Sequence, residues 1–194
     1  MRNLMAVRSL TTLPVVTLGG DVVAHVRDTV FDASAERITG FTLTGPTLLS
    51  GPLPQDLPWP AVHCLGHHAV MVHGPEALFD VPPSVARREA LRGRLLGARV
   101  TTDTGEVVGT VLDVLVEGGT SGRVAAFRLA AERELVHGSR HRRHRVYVPR
   151  GEALSASGRT LVIPAHATTY VTGDLPDFVA RVGAHRDRVR GVPR

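Results

Sequence analysis

The chain carries one pattern of residues twice, and this internal repeat limits the folds that are open to it. Gly20–Asp28 reads GDVVAHVRD and Gly105–Asp113 reads GEVVGTVLD. A glycine, an acid, two valines, a small residue, a further valine and an aspartate therefore recur at the same spacing. Three more blocks repeat in the same order: Arg37–Leu43 with Arg123–Leu129, Trp59-Pro60 with Val148-Pro149, and Val70–Val72 with Leu161–Ile163. Paired blocks in a single order predict two similar modules in tandem.

Each copy reads as a series of short β-strands separated by turns. Valine is abundant, and β-branched residues between glycine-rich turns are typical of strands. Gly109 interrupts the longest strand of the second copy, where the first copy has Ala24, so we expect a bulge or bend that requires a small residue. Ser155–Gly158 reads as a turn. The strands predicted in the second copy are Ala98–Thr101, Val107–Val116, Val124–Leu129, Arg145–Pro149 and Thr160–Pro164.

The predicted fold class is mainly β, with two small β-barrels in tandem, a short linker helix and a C-terminal helix. Ser84 is placed to cap the linker helix Val85–Arg92, which Gly93 would end. After the second copy, Asp174 is placed to cap an amphipathic helix that leads into a basic tail. The expected division is residues 8–80 for the first barrel, 81–94 for the linker, 95–172 for the second barrel, and 173–194 for the C-terminal helix and tail.

The repeated motif resembles the PRC-barrel domain. The second copy carries the match in GEVVGTVLDV (Gly105–Val114) and in Gly122-Arg123-Val124 before the next strand, and the first copy matches less closely. The resemblance covers residues 10–75 and 95–172. It implies a strongly bent barrel that acts as a protein-interaction module and catalyses no reaction. The photosynthetic reaction-centre H subunit and the RimM ribosome-maturation factor contain this barrel, but the parts that give them their specific functions are not recognised here.

Composition says less about function than the charge first suggests. The formal net charge is +5, and the basic residues are all arginines, a usage that a GC-rich genome produces without selection for polyanion binding. Cys64 is the single cysteine, which favours a reducing compartment. We recognise no signal peptide and no apolar stretch of the ~20 residues that a membrane span needs. We therefore expect a cytoplasmic protein without membrane insertion.

A basic run in the second copy is the sharpest local feature of the sequence. It lies between the predicted third and fourth strands, where it is a candidate contact for phosphates or for an acidic protein face, because arginine pairs with both through two hydrogen bonds. The alternative is a solvated loop enriched in arginine by codon usage. The residues are Arg140, His141, Arg142, Arg143, His144 and Arg145.

The equivalent loop of the first copy is apolar and rich in proline. Its leucines and the single tryptophan of the chain form a candidate docking surface for another protein. The alternative, which we favour, is that these side chains fold back onto the contact between the two modules, or meet a second copy of the chain. The candidate residues are Leu48, Leu49, Leu53, Leu57 and Trp59.

Histidines and a cysteine cluster in sequence near the end of the first copy. Zinc needs three or four convergent ligands, and neighbouring strand residues such as His63 and Cys64 point to opposite faces. His67 and His68 align with a hairpin turn in the second copy, where polar residues are ordinary. We therefore predict no metal, although the pattern leaves open whether these residues ever bind one.

Acidic residues recur at equivalent places in the two copies. Asp28 and Asp32 correspond to Asp113 and Glu117. A catalytic carboxylate pair is one reading, but recurrence in both copies favours hydrogen bonds at strand ends. The sequence also contains no nucleophile elbow, phosphate-binding loop or dinucleotide fingerprint. We therefore predict no enzymatic activity and no cofactor.

The sequence favours a protein-binding or scaffold protein that binds another protein and can form a homodimer. One alternative is an RNA- or ribosome-associated factor that binds through the Arg140–Arg145 run, which makes nucleic acid a possible but less favoured partner. A second alternative is a small-ligand site between the barrels. The identity of the partner, the pathway and the oligomeric state do not follow from the sequence.

Overall fold

The computed structural model describes residues 4–32, 36–47, 50–80, 95–131, 144–150, 153, 155–157 and 160–165. This part of the chain is mainly β, as the repeat and the valine-rich segments predict. The predicted linker helix at Val85–Arg92 and the helix predicted after Asp174 lie outside the described residues. None of the helical segments in the described ranges is long and apolar enough to cross a membrane.

Fourteen strands and three 3₁₀ turns make up the described structure. The chain begins with β1 (Leu4–Ala6) and the 3₁₀ turn Val7–Ser9. The first module then contains β2 (Pro14–Thr17), β3 (Val22–Phe31), β4 (Ile38–Thr44), β5 (Pro52–Pro58), the turn Trp59–Ala61, β6 (Val62–Leu65), β7 (Val70–Val72), the turn Pro75–Ala77 and β8 (Phe79–Asp80). The second module contains β9 (Arg99–Thr102), β10 (Val107–Glu117), β11 (Val124–Ala131), β12 (His144–Pro149), β13 (Ser155–Ser157) and β14 (Thr160–Ile163).

The two modules have the same strand topology. The first sheet runs β6-β7-β2-β3-β4-β5-β8, and the second runs β13-β14-β9-β10-β11-β12, with β1 also paired to β10. Each sheet contains one parallel strand pair, which is β2 with β7 in the first sheet and β9 with β14 in the second. The remaining strand pairs are antiparallel. The internal repeat in the sequence is therefore a repeat of structure.

The structure corrects one of the paired blocks. In the first sheet Leu57 lies opposite Phe41, and in the second sheet Val148 lies opposite Phe127. The phenylalanines are equivalent, so Leu57-Pro58, and not Trp59-Pro60, corresponds to Val148-Pro149. This shift makes Trp59 the equivalent of Arg150, a substitution that matters for the contact between the modules.

Bulges at equivalent places curl the two sheets. The pairing of β9 with β10 slips by one residue between Val107 and Gly109, and the pairing of β2 with β3 slips at the equivalent place. The bulge predicted at Gly109 is therefore confirmed. A Cβ atom at Gly109 would collide with the carbonyl oxygen of Ala130 and come within 2.9 Å of its carbonyl carbon. Two further slips recur between β3 and β4 and between β10 and β11, and bulged strands bend and twist more strongly than regular ones.

Two segments that the sequence predicted as irregular are strands. Pro52–Pro58, predicted as part of a loop, forms β5 between β4 and β8. Ser155–Ser157, predicted as a turn, forms β13 against β14 and is the counterpart of β6. For β5, pairing with β4 and β8 outweighs the weak strand propensity of a proline-rich segment. For β13, the stabilising partner is β14, the next strand along the chain.

The two modules share one hydrophobic core. A single cluster of buried side chains contains Phe41 of the first module and Phe127 of the second. The N-terminal strand joins the modules further, because β1 precedes the first module in the chain but pairs with β10 of the second, with Met5 opposite Val116. The side chain of Met5 is 2% exposed and belongs to the common core.

A strained residue marks one difference between the copies. Thr12 has a φ of 75°, and its equivalent in the second module, Gly97, has a φ of 79°. Both backbone N–H groups donate at 2.8 Å to a valine carbonyl, Val26 and Val111 respectively, so the two turns are the same. A β-branched residue in the left-handed region is a genuine outlier that costs of order 1–3 kcal/mol.

We expect Thr12→Gly to stabilise the chain by about 1 kcal/mol. Relief of the strain exceeds the extra entropy that glycine brings to the unfolded state, which is about 0.4–1 kcal/mol. The reciprocal variant Gly97→Thr should lower the free energy of unfolding by about 1–2 kcal/mol. Urea unfolding of both variants measures the change, and loss of stability in Thr12→Gly would contradict the interpretation.

Candidate interaction surfaces

The structure describes the two loops that the sequence singled out to different extents. Arg140–Arg143 lie outside the described residues. His144 and Arg145 begin β12, where Arg145 is exposed and lies opposite Ala130 of β11. The structure therefore places the end of the basic run on the sheet.

The apolar candidate residues do not form an exposed loop. Leu48 and Leu49 lie outside the described residues. Leu53 and Leu57 belong to β5, and Leu57 is fully buried. Trp59 begins the 3₁₀ turn after β5 and is only 7% exposed. Leu57 and Trp59 therefore cannot form a docking surface for another protein, and the alternative reading, in which they fold inward, describes their positions.

Trp59 fills the contact between the two modules. Its ring lies against Phe41, with the ring centroids 6.2 Å apart. The indole also meets Gly122 of the second module, where a Cβ atom would lie 2.6 Å from Cε2 of Trp59. Gly122 has a φ of 58°, a conformation in which a residue with a side chain is strained. Glycine is therefore required at this position for two reasons: the backbone has a positive φ, and the indole of Trp59 leaves no room for a Cβ atom.

The contact between the modules, here called the seam, has local two-fold symmetry. An isolated antiparallel bridge joins Arg37 to Arg123, which are equivalent residues of the two copies. On either side of it, the N–H of Ile38 donates to the carbonyl of Gly122 at 2.9 Å, and the N–H of Val124 donates to the carbonyl of Glu36 at 2.8 Å. A two-fold axis through the bridge exchanges these two hydrogen bonds, as in the self-complementary interface of a homodimer.

The side chains at the seam break this symmetry. The axis relates Trp59 to Arg150 and Gly122 to Glu36. Where the first module places an indole on glycine, the second places a guanidinium beside a carboxylate, with Nη2 of Arg150 3.4 Å from Oε1 of Glu36. A second bridge, between Leu65 and Gly119, extends the seam with two hydrogen bonds of 2.8 Å. One half of the seam is apolar and the other is charged, which fixes which module occupies which place.

The N-terminal segment attaches to the outer side of the second module. The N–H of Arg8 donates to Oδ1 of Asp113 at 3.2 Å, and Nε of Arg8 donates to the carbonyl of Leu112 at 2.8 Å. Asp113 is 4% exposed, and the same carboxylate oxygen also accepts from the N–H of Val114 at 2.9 Å. A buried carboxylate that accepts two backbone hydrogen bonds is a structural group.

The other recurring acids make local hydrogen bonds as well. Oδ1 of Asp32 accepts from the N–H of Glu36 at 2.7 Å, and Oε2 of Glu117 accepts from the hydroxyl of Ser121 at 2.7 Å. Asp28 is exposed, and its carboxylate lies 4.0 Å from Nε of Arg27. For Asp32 and Glu117 these contacts agree with the prediction of hydrogen bonds at strand ends, whereas Asp113 makes its hydrogen bonds from a bulge within β10.

Side chains on the outer face of the second sheet form a row across three strands. Asp113 of β10 lies opposite Arg128 of β11, which lies opposite Tyr147 of β12. Residues directly opposite on neighbouring strands share a face, and here that face points away from the core. Arg128 has a buried Nε atom with no hydrogen-bond acceptor within the described part of the chain. No pattern along the chain predicts this row, because its three residues come from three separate segments.

Comparison with known families matches this doubled architecture. The sequence model of the PRC-barrel domain matches residues 2–78 and, a second time, residues 89–169. The chain belongs to the PRC-barrel family. A comparison with curated proteins found no match. The family resemblance noted in the sequence is thereby confirmed, and so is the tandem arrangement of two PRC-barrel domains.

The outer faces of the two PRC-barrel domains differ in charge. The row of the second domain is Asp113, Arg128 and Tyr147, and its equivalent in the first domain is Asp28, Thr42 and Asp56. One position along, Arg145 lies opposite Ala130 in the second domain, whereas Pro52 lies opposite Thr44 in the first. The family fold is therefore common to both domains, but the arginines belong to the second alone.

The histidines of the first PRC-barrel domain meet in a pair that the sequence analysis missed. His63 lies at a bulge of β6, and its ring contacts that of His73, edge to face, with centroids 4.7 Å apart. His67 and His68 lie in the turn between β6 and β7, as the repeat predicts. Among the described residues, no group of three or more metal-binding side chains comes together.

Proposed function

We propose that the chain is a non-enzymatic scaffold whose two fused PRC-barrel domains present different outer faces to partner proteins. The observation that carries this proposal is the contrast between the equivalent rows Asp28–Thr42–Asp56 and Asp113–Arg128–Tyr147. Charge arrangement at a surface selects partners and suppresses wrong ones, so two unlike faces on one frame are suited to recognising unlike surfaces.

The seam supports this proposal by holding the two faces at a fixed spacing. The modules share backbone hydrogen bonds across the Arg37–Arg123 bridge, a common core, and a strand, β1, that crosses from one to the other. A fixed spacing suits a scaffold, because two weak contacts reinforce each other only when geometry allows both at once.

Affinity purification of the tagged chain from its own cells tests the proposal. We expect a protein partner in stoichiometric amount that survives several salt concentrations and that captures the chain when the tag is moved to the partner. Nuclease treatment during the purification identifies an RNA-dependent association, and the mass of the untagged chain in solution identifies a homodimer. Recovery of no partner at any salt concentration, or loss of all bound material with nuclease, would refute the proposal.

A further inference from the structure

We propose that the outer face of β10–β12 binds a carboxylate-rich segment of a partner protein through Arg128 and Arg145. The inference rests on the proposed scaffold function and names the chemistry of one partner. The binding surface is defined here as Arg128, Arg145, Tyr147 and the adjoining Arg8, and it is called the arginine face.

The first argument is the unpaired Nε donor of Arg128. Its Nε is buried and has no acceptor among the described residues, although a buried donor without a partner is costly and uncommon in folded proteins. Asp113 lies opposite in the sheet, but its Oδ1 accepts from two backbone N–H groups, those of Arg8 and Val114. One donor of this guanidinium is therefore unpaired within the described residues, and Arg128, which is half-buried, is in part accessible from solvent.

The second argument is that two further arginines lie close to Arg128. Arg145 is exposed and lies one residue pair further along the same face, a diagonal separation of about 7–8 Å that long side chains can bridge. Arg8 is exposed, and its guanidinium is held near the face by its hydrogen bond to the carbonyl of Leu112. Two or three arginines can therefore converge on one or two carboxylates, each through the paired donors of its planar fork.

The third argument concerns the kind of oxyanion that fits. Tyr147 packs on the outer side of the sheet with Leu115, Ala126 and Ala6, so apolar surface adjoins the arginines. A glutamate or aspartate side chain offers one charge on an apolar stem that this mixed surface can contact, whereas binding to a nucleic-acid backbone depends on many phosphate contacts along a longer basic track. An acidic protein segment is therefore the occupant that this surface favours.

Binding of a fluorescein-labelled hexaglutamate peptide to the full chain tests the inference. We expect Arg128→Gln to weaken binding by at least 10-fold in fluorescence anisotropy, and Arg128→Lys, which keeps the charge but loses the planar fork, to weaken it by an intermediate factor. The matched control is Arg27→Gln, an exposed arginine of the first domain with the same change of charge, which should alter binding by less than 2-fold. Thermal unfolding of each variant checks that the fold is kept.

A second measurement follows the NMR signal of the Arg128 side chain. Its Nε–H resonance in a ¹H–¹⁵N spectrum should shift when the peptide binds and should be absent in Arg128→Gln. Equal losses for Arg27→Gln and Arg128→Gln would overturn the inference, because binding would then follow net charge alone. Tighter, Arg128-dependent binding of a single-stranded RNA oligonucleotide would overturn it in favour of a nucleic-acid site.

The two proposals fail in different ways. If the wild-type chain retains a protein partner and Arg128→Gln retains it equally, with no effect on hexaglutamate binding, the scaffold function stands and the arginine face is wrong. If the wild-type chain binds hexaglutamate through Arg128 but purifies with no protein, the arginine face stands as an anion site and the scaffold function is wrong.

Discussion

Replacing Gly122 with alanine is expected to lower the free energy of unfolding by about 2–4 kcal/mol, although the change adds a single carbon atom. About 1–2 kcal/mol comes from placing a side chain at a φ of 58°. A further 1–3 kcal/mol, roughly, comes from the new Cβ, which would lie 2.6 Å from Cε2 of Trp59 in a packed seam. Chemical denaturation followed by the fluorescence of Trp59, the single tryptophan, measures both the stability and the environment of the indole.

Gly119→Ala is the matched control for this variant. Gly119 lies in the same turn between β10 and β11 and has a φ of 72°, but a Cβ atom there would meet nothing within 4 Å. Its substitution should cost about 1–2 kcal/mol, the backbone part alone. Trimming the indole in the double variant Trp59→Leu, Gly122→Ala should recover the steric part, so the two substitutions should be less than additive. Equal losses in Gly119→Ala and Gly122→Ala would show that the seam does not depend on the contact with Trp59.

The seam explains why the repeat predicts the modules but not their association. Equivalent blocks of sequence give equivalent strands and bulges, because both arise from local patterning of valine, glycine and turn residues. The seam joins Trp59 to Gly122 and Arg150 to Glu36. The equivalent residues, Trp59 with Arg150 and Gly122 with Glu36, have no chemistry in common. A search for similar residues in the two copies therefore does not find the seam residues, because these residues differ between the copies.

The sequence pattern also failed to predict some of the strands, for a different reason. β5 contains three prolines, which lack the backbone donor that a strand ordinarily uses, and Pro52–Pro58 therefore reads as a loop. It forms a strand because its remaining groups pair with β4 on one side and β8 on the other. The role of Arg128 could not be predicted for a similar reason. A single arginine in a strand is common, and its neighbours are known only once the pairing of β10, β11 and β12 is known.

The N-terminal strand should make the two modules unfold as one unit. β1 comes first in the chain but completes the sheet of the second module, and Met5 adds its side chain to the common core. Its loss should therefore be felt in both modules, in contrast to the behaviour of two domains that are joined only by a linker.

We expect Met5→Ala to lower the free energy of unfolding by about 2–5 kcal/mol, the usual cost of truncating a fully buried methionine. Hydrogen exchange should show faster opening in β10 around Leu115 and Val116, far along the chain from the substitution, because these residues pair with β1. The control is Leu18→Ala in the first module, where the side chain is 53% exposed and truncation should change stability by less than about 0.5 kcal/mol.

The shape of the transition carries as much information as its midpoint. A single transition that moves as a whole in Met5→Ala, with Trp59 fluorescence and far-ultraviolet circular dichroism coinciding, follows from one shared core. Two separate transitions, with only the second module affected, would mean that β1 and the seam contribute little coupling. In that case the two outer faces would not be held at a fixed spacing, and the scaffold proposed above would have to act through two independent domains.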